Sequence, residues 1–213
     1  MKFQVIIAAA AIPVAIVAAE GMAEAQAPAI VWDTDNALAL GTGCSSRAGD
    51  AAFISSGNSV AVLFSKLGVD LPAGGTSNAL TGLKSCSVRI PATLRKGFYF
   101  SELIQTITYG VNKSYDSSGT ITSLASFFNK PVASFTVNVP RGVKSSPAIP
   151  TSKTNAFLVN ATCFSNFDLK GLYRGDLSVA GTRASKNESI ILTTEGLDLR
   201  YEITCPIRLC AEP

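Results

Sequence analysis

Leu197-Asp198-Leu199-Arg200-Tyr201-Glu202-Ile203-Thr204 decides the fold class. Its odd positions are apolar and its even positions polar or charged, the period-two pattern of a strand with one face buried and one face wet. Phe135-Thr136-Val137-Asn138-Val139 repeats the pattern until Pro140, which has no N–H to give to a ladder. Further strands are predicted over 59–65, 85–91, 97–109, 120–128, 155–163 and 188–193, most of them rich in Val, Ile, Phe, Tyr and Thr. Segment 122–128 is also the best helical candidate, and no stretch shows helical periodicity with caps at both ends. Gly, Ser, Asn and Pro fill the connections, and 140–153 reads as a long exposed one. Short strands at this spacing, with no shift in composition to mark a boundary, predict an all-β, single-domain antiparallel β-sandwich.

Composition sets limits on chemistry. The 213 residues are 47% hydrophobic and 15% charged, enough apolar material for a packed core. There is no histidine. Ser-His-Asp and Cys-His triads and most catalytic zinc sites are thereby excluded. The net charge of +3 is mild, and the basic residues are scattered singly, so no nucleic-acid footprint is indicated.

Lys2 opens a short basic end, followed by the apolar run 5–19 and the small-x-small triplet Ala23-Glu24-Ala25. This is the form of a signal peptide over 1–25, leaving an exported domain over 26–213. The run is shorter than the roughly twenty residues a membrane span needs, and no later stretch matches it. The expected location is extracellular, or periplasmic in a double-membraned cell. All five cysteines (Cys44, Cys86, Cys163, Cys205 and Cys210) lie in the exported part, where disulfides are the default. Four can form two bridges and one is left over. Cys205 with Cys210 is sterically feasible as a tight loop.

Gly41-Thr42-Gly43-Cys44 follows the leader, Lys84-Ser85-Cys86 opens a strand that ends at Pro91, and Cys163 and Cys205 come later. This order resembles the secreted "domain of unknown function 4360" family over about residues 30–205. Ser45, Ser85 and Ala161-Thr162-Cys163-Phe164 depart from the family's usual neighbours, and Cys210 has no counterpart in it. The resemblance implies a secreted, disulfide-stapled β domain with bridges Cys44–Cys86 and Cys163–Cys205 and with Cys210 unpaired. Loops of about forty residues would give each bridge roughly 3–4 kcal/mol in the chain-entropy account. No activity follows from the family.

Few residues invite a functional reading. Asp33-Thr34-Asp35-Asn36 gathers the oxygens of Asp33, Asp35 and Asn36, which could contribute to a calcium site, although the Gly and distal Glu of an EF-hand loop are absent. A turn cap is the simpler reading. Trp32 stands beside it and could stack on a sugar ring, or anchor the edge of the core. In Phe98-Tyr99-Phe100 alternation sends both phenylalanines inward and leaves Tyr99 as the candidate ligand contact; Tyr109 and Tyr115 could extend a platform. Phe127-Phe128 reads as core. Asp198 and Glu202 share a strand face, but about 13 Å apart they cannot act as a glycosidase pair. No Gly-x-Ser-x-Gly elbow is present. Asn112, Asn160 and Asn187 begin glycosylation triplets, at about the frequency chance gives.

The sequence therefore favours a secreted, non-enzymatic sandwich that binds a polysaccharide or a surface protein, with no cofactor. Its rivals are a carboxylate-dependent polysaccharide enzyme and an inhibitor or effector of another protein that makes contact through 140–153.

Overall fold

Tyr201, Ile203 and Cys205 are fully buried, whereas Arg200 and Glu202 point outward and pair at 3.0 Å. The alternation of the C-terminal strand is thus realised side chain by side chain. The computed structural model describes residues 28–128, 130–145, 151–158, 163, 166–192 and 199–210. The expected signal peptide, the Asn160 triplet, Leu197, Asp198 and residues 146–150 lie outside the described residues.

The strands in chain order begin with β1 (Ile30–Trp32), β2 (Leu38–Gly41), β3 (Cys44–Ser45), β4 (Ala51–Ser56), β5 (Ser59–Phe64) and β6 (Asp70–Leu71). Then come β7 (Thr81–Leu94), β8 (Phe98–Phe100), β9 (Glu102–Tyr109), β10 (Asn112–Lys113), β11 (Ser118–Phe127) and β12 (Lys130–Val139). The last are β13 (Thr151–Leu158), β14 (Leu169–Thr182), β15 (Ile190–Ile191), β16 (Leu199–Thr204) and β17 (Ile207–Leu209). A seven-stranded sheet runs β12-β11-β14-β7-β2-β3, with β1 also on β7, and a five-stranded sheet runs β13-β9-β16-β5-β4. Between them lies one core that draws on both, including Ile90, Leu94, Ile121, Val137, Leu177 and Val179 from the first and Val60, Val62, Leu103, Ile107 and Ile203 from the second. The protein is a disulfide-stapled, all-β antiparallel sandwich. A small sheet, β10-β15-β6, and the pair β17-β8 complete the described strands.

The spine of the larger sheet is β7 against β14, in register from Leu94↔Leu169 to Thr81↔Thr182. Strand β14 carries three glycines, and two of them sit under aromatic rings. A Cβ on Gly171 would stand 2.3 Å from the Phe128 ring, and one on Gly175 would stand 2.9 Å from the Tyr173 hydroxyl. Phe128 turns the β11–β12 hairpin with a positive φ of 49°. Segment 122–128 is not helical. Residues 122–127 belong to β11, paired on both sides, because alternation hides Ser123, Ala125 and Phe127 and two neighbouring ladders satisfy the backbone.

The Gly41-Thr42-Gly43-Cys44 motif is a close-packing device. A Cβ on Gly41 would lie 2.2 Å from the Ser85 carbonyl oxygen, and one on Gly43 would lie 2.6 Å from Leu67. The Gly43 N–H donates to that same Ser85 carbonyl at 3.0 Å, and Thr42 Oγ1 accepts from the Ser85 N–H at 3.0 Å. This seats Cys44 against Cys86, which it bridges with Cα atoms 5.6 Å apart.

The second bridge differs from the expected Cys163–Cys205. Cys163 pairs with Cys210, and Cys205 is a free, buried thiol. The reason is the strand's own period. Cys205 continues the inward series of Tyr201 and Ile203 and is fully enclosed, whereas Cys163 is exposed on a connection. Cys210 follows β17, where its N–H donates to Gly97 O at 2.9 Å, and only there does a thiol meet Cys163.

Candidate functional site

Trp32 is not a ligand platform. It is 5% exposed and stacks on Phe127, with centroids 5.6 Å apart and ring planes 21° apart, in an aromatic cluster that includes Phe100, Phe128 and Tyr173. Its Nε1 has no hydrogen-bond partner. Tyr99 lies half-buried on β8, opposite Arg208 of β17. Asp33 caps a turn. Its Oδ1 accepts from the Asn36 N–H at 3.1 Å and its Oδ2 from the Asn36 side-chain amide at 2.8 Å. Asp35 is exposed beside it. Among the described residues no group of three His, Cys, Asp or Glu side chains could hold a metal ion.

Two polar clusters are structural by their surroundings. Between the sheets, the hydroxyls of Tyr173 and Tyr201 bond each other, and Ser123 Oγ lies 3.0 Å from the Tyr201 hydroxyl and 3.5 Å from Gln105 Oε1. All four residues are fully buried, so the network has no opening to a substrate. Burial raises the Tyr173 phenol well above its ordinary value and pushes Tyr201 up to about 12. At the end of the sandwich Arg183, 1% exposed, is satisfied by backbone carbonyls: Nε donates to Ala79 O at 3.0 Å, and the two terminal nitrogens to Pro72 O at 2.6 Å and Ser77 O at 2.9 Å. It holds the 72–79 loop to the body. Nearby, the Lys113 ammonium donates to Val143 O and Ser114 O and ties down the start of the long connection. Burial lowers its pKa, against the opposing pull of Asp116 and Glu188.

The outer faces of the two sheets are not equivalent. On the five-stranded sheet the hydroxyls bond one another, Thr106 with Thr154 at 2.9 Å, Thr108 with Ser152 at 2.8 Å and Ser59 with Thr204 at 2.8 Å, around the Arg200–Glu202 pair. On the seven-stranded sheet three adjacent rows cross the strands without a charged side chain. They are Ser118–Thr182–Thr81, Asn138–Thr120–Ala180–Leu83 and Thr136–Thr122–Ser178–Ser85. Of these, Ser85 bonds Thr42, and the other polar side chains make no hydrogen bond within the chain among the described residues. Charge returns only with Asp176 in the next row and Arg174 beyond it.

At one end of this neutral field lies an open depression of about 270 Å³, lined by Ser118, Thr120, Asn138, Pro140, Ala180 and Thr182 with the backbone of Gly119 and Val139. Ala180 leaves room for it, being a methyl among longer neighbours. Tyr115, 59% exposed, stands three residues before Ser118. Its carbonyl accepts from the Gly142 N–H at 2.9 Å, and its hydroxyl lies over Gly142, two residues past Pro140. Sequence reasoning singles out Tyr115 as part of a possible platform and passes over the residues that line the depression. The available signal was the outward set of two strands, Ser118, Thr120 and Thr122 with Ser178, Ala180 and Thr182, small and uncharged throughout.

No protein-family model matches the chain, and no curated protein matches it. A solved structure described as TmCBM61 in complex with β-1,4-galactotriose aligns with 82% of this chain and 86% of its own, at 10% identity and a TM-score of 0.24. At that score the likeness carries no argument about ligand or fold.

Proposed function

We propose that the protein is a secreted, non-enzymatic β-sandwich that binds a neutral surface or matrix polymer through the outer face of its seven-stranded sheet. The observation that carries this reading is the contrast between the two outer faces. One holds hydroxyls already paired with each other, and the other holds three uncharged rows whose donors and acceptors are free to take a partner. A rigid sheet fixes those groups in place, so little side-chain freedom is lost on binding. Two disulfides suit an oxidising compartment and support the secreted location. Bridge Cys44–Cys86 is the one the resemblance to the family of unknown function implies, while Cys163–Cys210 departs from it.

Incubating the purified protein with insoluble polysaccharides and isolated cell envelopes, and scoring retained protein and released sugar together, tests the reading. Retention without release is expected. Released reducing ends would establish an enzyme instead, and absence of retention on every material would remove the polymer from the proposal.

A further inference from the structure

We infer that the depression at the end of the neutral rows is a subsite for one uncharged sugar unit of a polysaccharide chain, with Tyr115 as the aromatic platform at its rim. The inference rests on the proposed binding role and deepens it by naming the ligand and its place.

The chemistry of the lining selects the class. Thr120 and Asn138 face each other across β11 and β12, and Ser118 and Thr182 across β11 and β14. A hydroxyl both donates and accepts, and a carboxamide does each with a different atom, so the set matches a ligand that alternates donors and acceptors over a few ångströms. An anion would need a cationic partner and a cation a carboxylate, and the lining contains neither. An apolar ligand would strip water from four polar side chains and return no hydrogen bond, which is costly. A polyhydroxylated neutral ring satisfies them. Ala180 below and Pro140 at the side give its C–H face apolar contact.

Size and openness set the mode. A volume of about 270 Å³ lies just under the range for whole small-molecule pockets, which fits a single unit. The depression is open, so the neighbouring units of a chain can continue across the rows of Thr122 and Ser178. Tyr115 is held by the Gly142 N–H and backed by the segment that Lys113 ties through Val143 O. It is 59% exposed, with the hydroxyl over Gly142, and its ring offers an open stacking face beside the backbone that these bonds hold.

Affinity electrophoresis of the intact protein tests this, in native gels cast with soluble β-glucan, galactan, xylan, mannan or polygalacturonate. Retardation by at least one neutral polymer and none by polygalacturonate is expected. Ala180→Met, which fills the floor, and Tyr115→Ala, on an exposed ring whose loss leaves the core intact, are each expected to weaken the retarded complex about tenfold or more. Thr106→Ala on the opposite face should leave it unchanged. Circular dichroism confirms that each variant is folded. If the neutral polymer binds both variants as tightly as the parent protein, the subsite is wrong while the binding role stands. Retardation by polygalacturonate alone would overturn the ligand class. No retardation in any gel, together with no retention on insoluble material, would remove both proposals.

Discussion

The hydroxyl of Tyr173 on β14 meets the hydroxyl of Tyr201 on β16 in the middle of the sandwich, the two rings lying 6.3 Å apart between centroids. The contact joins the two sheets by a polar link within an otherwise apolar layer, and Ser123 and Gln105 satisfy its remaining valences. Both phenols are fully buried, and burial is the main cause that raises their pKa values.

Stability should therefore fall in alkali. A phenol whose folded pKa exceeds its unfolded value near 10 keeps its proton in the folded state while the unfolded chain loses it. Its contribution is complete below about pH 10 and is lost as pH rises towards the folded value, about 12 for Tyr201. The slope reaches about 1.4 kcal/mol per pH unit for each phenol. Urea unfolding between pH 7 and pH 11 checks this. Tyr201→Phe should flatten the alkaline slope, while costing about 1–3 kcal/mol at pH 7 because Tyr173 and Ser123 lose a partner. A slope that neither Tyr201→Phe nor Tyr173→Phe changes would assign the alkaline loss elsewhere.

Thiol chemistry should follow the pairing. Cys205 is enclosed and burial raises its pKa, so the thiolate that reacts with disulfide reagents is scarce in the folded protein. The native protein is expected to show no rapidly reacting thiol and the denatured one a single thiol. Peptide mapping should recover Cys44–Cys86 and Cys163–Cys210. A recovered Cys163–Cys205 peptide would contradict the structure.

Arg183→Met removes the donors that Pro72, Ser77 and Ala79 accept from. A cost of about 2 kcal/mol is expected, since three carbonyls lose hydrogen bonds from a charged donor. The 72–79 loop, no longer held, should become the first site of limited proteolysis. Unchanged cleavage in the variant would mean that the loop is held by other contacts.

Gly171→Ala brings a methyl against the Phe128 ring. Overpacking of this kind costs about 1–3 kcal/mol. Phe128→Ala in the same chain should recover part of the loss, because the two residues share one space, and the pair should be non-additive in thermal melts. Additive losses would show that the ring moves aside freely.

Trp32, the single tryptophan, is enclosed by aromatic neighbours. Its fluorescence should be blue-shifted, resist acrylamide quenching, and stay unchanged when a polysaccharide binds the outer face. A ligand-induced shift would place a site next to it.

The architecture was legible because alternation is a local signal. Residues 199–204 and 135–139 show which side is buried without any knowledge of their neighbours. Strand β14, at the centre of the larger sheet, was not read, because Gly171, Gly175 and Gly181 look like breakers in isolation. Only the folded chain shows that rings and side chains from Phe128, Tyr173 and Val69 occupy the space where Cβ atoms would stand. The second disulfide was legible in part. The same alternation that buries Tyr201 and Ile203 buries Cys205, whereas the family resemblance implies a bridge from it to Cys163. Of the depression only the small, uncharged outward sets of its strands are visible in the sequence, since its shape depends on registers that bring Thr120, Asn138 and Ala180 together from positions far apart in the chain. Trp32 and Asp33 caught attention through their chemistry, but their neighbours Phe127 and Asn36 occupy them.

Strand β16 lies between β9 and β5 at the centre of the five-stranded sheet, although only β17 follows it among the described strands. Until Thr204 has been synthesised, β9 and β5 have no common neighbour, and the apolar inner face of the larger sheet has half a lid. A chain that stops short of Thr204 leaves β9 and β5 each with an unpaired edge and should be cut by proteases more readily than the full one. Completion is then close to all-or-none, triggered by a late hexapeptide.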